Sequence, residues 1–149
     1  SYDALNRLTA IVYPSDTTLN KAFYYDVSQA DCQPSESFAV GRMARMTDKT
    51  GETRFCYDRR GNLTRKVQQN TLFPATQTVQ YQYNLADRVV GITYPSGAAL
   101  TYSRDTQGRI NGASVVIDGS TIALVTSVSY RPFGAMSQLS FANGQTLTK

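Results

Sequence analysis

Histidine and tryptophan are absent from this chain. Without histidine, the commonest general base and a leading zinc ligand are missing, so the usual nucleophile–base sets have little to draw on. Charged residues make up 17% of the chain against 41% hydrophobic ones, the balance of a folded chain and not of a disordered one. No apolar run approaches the ~20 residues of a membrane span. The longest, VVI at 115–117 and IALV at 122–125, are strand-sized. No sustained 3.6-residue apolar period supports helix. The opening SYDALNRLTA lacks the charged-then-apolar layout of a secretory leader.

A net charge of +4 raises nucleic-acid binding, but the basic residues form no single block. Arg7, Arg42, Arg88 and Arg109 each stand just before an apolar residue, and the densest cluster, Arg54, Arg59, Arg60, Arg65 and Lys66, spans a strand–turn–strand segment. Solvated turn charges explain them, and no nucleic-acid partner is expected.

What the chain does contain is a repeated phrase. Tyr-Asp or a near copy occurs at Tyr2-Asp3, Tyr25-Asp26, Tyr57-Asp58, Tyr83-Asn84, Tyr102-Ser103 and Tyr130-Arg131. Arg or Asn followed by an apolar residue comes next at Arg7-Leu8, Asn62-Leu63, Arg88-Val89 and Arg109-Ile110. Arg42-Met43 fits the same slot if a loop at about 28–40 is an insertion, and a second insertion falls at 70–78. Two copies agree further: YPSD at 13–16 and YPSG at 94–97 lie at the same offset from Arg7 and Arg88. Repetition on this scale points to an assembled surface built from mutually dependent units.

Each slot has a local reason. Val79, Tyr81 and Tyr83 alternate with Gln80 and Gln82, as a half-buried strand requires. Asp3, Asp26 and Asp58 can bond their own backbone and open a turn, and Gly61 and Gly108 supply the positive φ that follows. KTG at 49–51, PSG at 95–97, Asp118-Gly119 and Asn143-Gly144 mark hairpin turns inside the units. The expected fold is all-β: repeated antiparallel hairpins forming one continuous curved sheet. It should be a single array over residues 1–149, about five to six degenerate repeats and a fragment of something larger. Tyr2, Tyr25, Tyr57, Tyr83, Tyr102 and Tyr130 are expected to align from strand to neighbouring strand as an aromatic ladder.

Candidate chemistry is sparse. No catalytic residue, metal ligand set or cofactor is expected. Asp105 near Gly108 invites a calcium reading, but a turn role explains it. Cys32 and Cys56 lack metal partners at zinc spacing; a disulfide tying the 28–40 insertion to the strand of Tyr57, and two half-buried free thiols, both fit. Asn62-Leu63-Thr64 matches a glycosylation acceptor that the repeat already accounts for. Tyr13 and Tyr94, just before Pro-Ser, are the candidate surface-binding aromatics.

The units YDRRGNLT (57–64), YDALNRLT (2–9), YNLADRVVGITYPSG (83–97) and YSRDTQGRI (102–110) resemble the YD repeat, also called the Rhs repeat, and SYRPFGAMSQLSFANGQTL (129–147) is similar to another form of it. The resemblance implies a β-sheet spiralling into a hollow shell. Bacterial Rhs polymorphic toxins and the cocoon subunits of insecticidal toxin complexes enclose a toxin domain in such a shell, and teneurins use a related one for adhesion. It implies a non-enzymatic structural segment of a larger exported or cell-surface bacterial protein. Its partners would be the remainder of the same shell and the enclosed toxin domain. The alternative is a surface module that binds carbohydrate or a protein partner. No Asp-Pro pair of the kind that closes the toxin repeats occurs here, so the chain reads as wall material.

Overall fold

The computed structural model describes residues 1–73 and 75–149; Pro74, within the expected 70–78 insertion, lies outside the described residues. The fold is all-β. Among the described residues, paired strands are antiparallel and helix is limited to single 3-10 turns at Thr17–Leu19 and Pro34–Glu36.

The chain forms two compact units, residues 1–80 and 81–149. In the first, β1 (Ala10–Ile11), β2 (Lys21–Tyr25), β3 (Met43–Asp48), β4 (Gly51–Tyr57), β5 (Leu63–Asn70) and the start of β6 (Gln77–Tyr83) lie side by side in chain order. The second holds the end of β6, then β7 (Val89–Thr93), β8 (Ala99–Arg104), β9 (Ile110–Ile117), β10 (Ser120–Tyr130), β11 (Met136–Phe141) and β12 (Thr146–Thr148), again in chain order. Sequence-adjacent pairing follows from short connections, since a hairpin closes with little loop entropy. The alternation in β6 is as the sequence requires: Val79, Tyr81 and Tyr83 are half-buried and Gln80 and Gln82 exposed.

One turn recurs. Its first residue donates N–H to the carbonyl four residues on, and its fourth donates back to the first. Asp58 bonds Asn62 and Gly61 bonds Asp58, at 3.0 Å each; Asp105 bonds Arg109 at 2.9 Å and Gly108 bonds Asp105 at 2.8 Å. Asp3, Asn84, Tyr94 and Phe141 open the same turn, and in these six copies the fourth residue has positive φ: Asn6, Gly61, Asp87, Gly97, Gly108 and Gly144; Arg131 makes the same two bonds with the positive φ at Phe133 instead. The turns after a Tyr strand and the within-unit turns at Tyr94 and Phe141 therefore share one geometry, whereas β3 and β4 are joined by a tighter hairpin in which Asp48 faces Gly51. Asp118 and Gly119, both at positive φ, make the tighter two-residue hairpin between β9 and β10.

The 26–42 segment is spliced into this turn. The Asp26 N–H donates to the Arg42 carbonyl at 3.1 Å, the bond that elsewhere spans four residues. The buried core lies where this segment meets β3–β5: Ala39, Ala44, Thr53, Cys56 and Val67. In the second unit only Gly91 and Gly112 are buried among the described residues. Stability there rests on half-buried cross-strand contacts.

Close backbone approach singles out Gly51, at φ +137°, where an added Cβ would lie 2.0 Å from the Gln69 carbonyl oxygen; at Gly144, φ +85°, it would meet nothing. Gly51→Ala is expected to cost about 3 kcal/mol or more, combining strain with a backbone clash. Gly144→Ala should cost only about 1 kcal/mol of left-handed backbone strain. Urea melts of the two variants check this, and equal losses would contradict the close approach.

Candidate functional site

The recurring tyrosine reaches backwards. Tyr25 Oη donates to the Leu8 carbonyl at 2.9 Å, Tyr57 to Met43 at 2.8 Å and Tyr130 to Ile110 at 2.7 Å. Each acceptor directly follows the arginine of the preceding unit, and that arginine lies over the same ring. Arg7 sits 4.4 Å from the Tyr25 centroid, Arg42 5.8 Å from Tyr57 and Arg109 4.4 Å from Tyr130, within cation–π range. The aspartate opening the turn aims the arginine: Asp3 to Arg7 Nε and Asp105 to Arg109 Nε are both 2.8 Å. At 58–62 Asn62 replaces arginine and donates its amide to Asp58 at 3.0 Å. The amide of the glycosylation-like triplet is therefore engaged within the turn.

This corrects two expectations. The motif tyrosines do not align on neighbouring strands, because each unit of sequence supplies two strands. Tyr25 and Tyr57 end β2 and β4 in the first unit; Tyr83 and Tyr130 end β6 and β10 in the second, with Tyr102 on β8. Tyr25 faces Met43, Tyr57 faces Leu63, Tyr102 faces Ala113 and Tyr130 faces Met136. At Tyr25, Tyr57 and Tyr130 the rung is tyrosine against an apolar residue and an arginine. Tyr2 lies outside the named strands, in an isolated bridge to Leu8, and is 66% exposed. Second, Arg7, Arg42 and Arg109 are ring covers and not merely solvated charges. A Cβ on Gly61 would fall 2.1 Å from Arg42 Nη2, and one on Gly108 1.2 Å from Arg88 Nη1. Glycine there admits the preceding unit's arginine as well as the turn.

The carboxylates are occupied. Asp3 accepts from the N–H groups of Leu5 and Arg7, Asp58 from those of Arg60 and Asn62, and Asp105 from those of Gln107 and Arg109. The Arg7 N–H, aided by its guanidinium, holds Asp3 below the ordinary carboxylate value despite some desolvation. Desolvation raises Asp58 and Asp105, but hydrogen bonds from Asn62 and Arg109 outweigh it and leave both lowered. Arg7 donates twice to Asp26, at 3.0 and 2.6 Å, and together with the Gly41 N–H lowers that carboxyl to about 2. Groups so fixed in the ionised form are acceptors of turns, not proton donors near neutrality. Desolvation pushes the Tyr57 phenol up, with Arg42 opposing it.

Cys32 and Cys56 are joined by a disulfide. The bond ties the 26–42 segment to β4, beside ion pairs from Asp31 to Arg54 and from Glu36 to Arg65. Arg54 and Arg65 therefore leave the expected set of solvated turn charges. The signal was available: Arg54 and Cys56 share a strand face by two-residue alternation, and Asp31 adjoins Cys32. Tyr13 and Tyr94 are exposed at 39% and 41%, each accepting at its carbonyl from the fourth turn residue, Asp16 and Gly97. Tyr13 also lines an open groove of about 320 Å³ with Leu19, Lys21, Asp48, Lys49 and Thr50.

Comparison with protein families matches residues 57–99 to the RHS Repeat. Among solved structures, a crystal structure of TcdB2-TccC3-TEV aligns with 96% of this chain and 9% of its own at 14% identity, TM-score 0.66. TcdB2-TccC3 without its hypervariable C-terminal region aligns with 98% of this chain and 9% of its own at 15% identity, TM-score 0.67. A Tc holotoxin pore of Photorhabdus luminescens carrying a TccC3 mutation aligns with 95% and 9% at 14% identity, TM-score 0.62. The chain is thus similar in fold to a part of these much longer chains. A comparison with curated protein sequences finds no match.

Two measurements test the rung. Tyr57→Phe removes only the hydroxyl and should cost about 1 kcal/mol, Tyr57→Ala roughly 2–3 kcal/mol, short of the loss for a fully buried ring, and the exposed turn variant Lys49→Ala under about 0.5 kcal/mol; equal losses by denaturant melt would contradict it. Asp26, lowered from 3.8 to about 2 by Arg7, contributes stability above its unfolded value that disappears as pH falls through the folded one. Between about pH 4 and 2 the wild-type chain should lose stability faster than Asp26→Asn, which cannot titrate there; parallel acid melts would contradict this.

Proposed function

From an RHS repeat at residues 57–99 and the Tyr–Arg clamp in both units, we propose that this chain is a non-enzymatic wall segment of a toxin-encapsulating β-shell. In this reading residues 1–149 are one array of five to six degenerate repeats within a larger exported bacterial protein. Its partners are the rest of that wall and the enclosed toxin domain. The carrying observation is that the hydroxyls of Tyr25, Tyr57 and Tyr130 each bond the unit before, so a unit is completed by its neighbour. The likeness to TcdB2-TccC3 lacking its hypervariable C-terminal region supports wall over cargo. The mechanism is steric: a hydrogen-bonded wall separates what it encloses from proteases and solvent.

A second reading, a carbohydrate- or protein-binding adhesion surface, draws on Tyr13 and Tyr94, exposed on matching Tyr-Pro-Ser turns. The two readings separate in the parent polypeptide that carries this chain. Electron microscopy should reveal hollow particles, and limited proteolysis should spare an internal segment. Tyr57→Ala with Tyr130→Ala should make that segment digestible, while Tyr13→Ala with Tyr94→Ala leaves it protected. Solid or extended particles, or protection indifferent to the clamp variants, would overturn the wall reading. Loss of glycan-array or cell binding in the Tyr13/Tyr94 variant alone would favour the second.

A further inference from the structure

Segment 26–42 leaves the sheet at Asp26, returns at Arg42 and is fastened to β4 and β5 at four points. One is covalent, Cys32–Cys56. Two are ionic: Asp31 Oδ1 lies 3.3 Å from Arg54 Nη2, and Glu36 Oε2 lies 3.0 Å from Arg65 Nε. The last is main-chain, the Phe38 N–H donating to the Tyr57 carbonyl at 3.1 Å beside a parallel bridge from Ser37 to Tyr57.

What it fastens onto is a row of like charges. Arg45 and Arg54 are direct cross-strand partners, a placement that repels unless neutralised. Arg65 faces Cys56 on the next strand. Glu52 of β4 pairs with Arg45 and Arg54, but Asp31 and Glu36, which complete the neutralisation of Arg54 and Arg65, come from the covering segment. Cys56 and Val67, on the same strands, are fully or almost fully buried.

We propose that segment 26–42 is a redox-latched strap over this arginine row. Cys32 is half-buried whereas Cys56 has no exposed surface, so a thiolate of a small dithiol reductant attacks the Cys32 sulfur. The S–S bond breaks, and the Cys56 sulfur leaves as thiolate and takes up a proton. The reductant's second thiolate then displaces Cys32, which is protonated in turn. The protein gains two thiols and the reductant becomes a disulfide. The strap is then held by one main-chain attachment, the buried Ala39, the Phe38 ring beneath Arg59 and part-exposed ion pairs, the last of which salt screens. Release requires reductant and salt together, and it uncovers Arg54 and Arg65 to anionic groups. This holds whether or not the chain encloses a cargo.

Hydrogen exchange by mass spectrometry on the 149-residue chain tests the latch with and without dithiothreitol, at low salt and at about 0.5 M salt. Exchange across 29–40 should rise roughly tenfold or more only when reductant and salt are combined, while amides of β3–β5 change less than about twofold. Cys32→Ser with Asp31→Asn and Glu36→Gln should reproduce the release without either reagent; the two carboxylate changes alone, with the disulfide intact, should not. An unchanged strap in reductant and salt would overturn the proposal. So would β3–β5 losing protection together with the strap, since the disulfide would then hold the whole unit and not a cover.

Discussion

The structure depends on a hydrogen bond that each unit cannot make for itself. A tyrosine at the end of one strand places its phenol on the main chain of the unit before, under an arginine that the earlier unit's turn has aimed. An isolated two-stranded hairpin is marginal in water, and few side chains here are fully buried. Cohesion therefore passes from neighbour to neighbour, as in other repeat architectures. The aspartate links local to non-local order, because the same carboxylate that shapes its turn also fixes the arginine covering the next ring.

That economy accounts for the ionised state of the turn carboxylates. Asp3 and Asp105 are held ionised by the turn N–H groups and by the arginine they orient. A carboxylate with its lone pairs so engaged, and no imidazole in the sequence, has neither the pKa nor the partner for proton transfer. What the geometry performs is positioning: closing turns, covering rings and offering each strand a neighbour.

The 26–42 segment varies this plan. It enters one copy of the shared turn without changing the closing bond from Asp26 to Arg42, so the units on either side keep their register. Insertions of this kind are tolerated because loop closure grows only slowly more costly with length. This one also brings acids and a cysteine to a sheet face that would otherwise set arginine against arginine. The fold's main buried cluster lies at the same place.

Strand identity, chain-order pairing and the turn positions were legible in the sequence. They depend on period-two alternation and on residues such as Asp58, Gly61 and Gly144, whose backbone preferences act within a few bonds. The insertion was legible as an interruption of the same local phrase. The ladder's register was not. That tyrosines recur on every second strand follows from the two strands in each unit, but the reach of Tyr57 to Met43, and of Arg42 over Gly61, spans residues far apart in sequence. The joining of Cys32 to Cys56 and the pairing of Arg54 and Arg65 with Asp31 and Glu36 were likewise decided only when the segment folded back across β4 and β5. Local rules fix what a residue does to its own backbone, whereas the partner that a long side chain meets is set by which strands the hydrogen-bonded sheet has placed beside it.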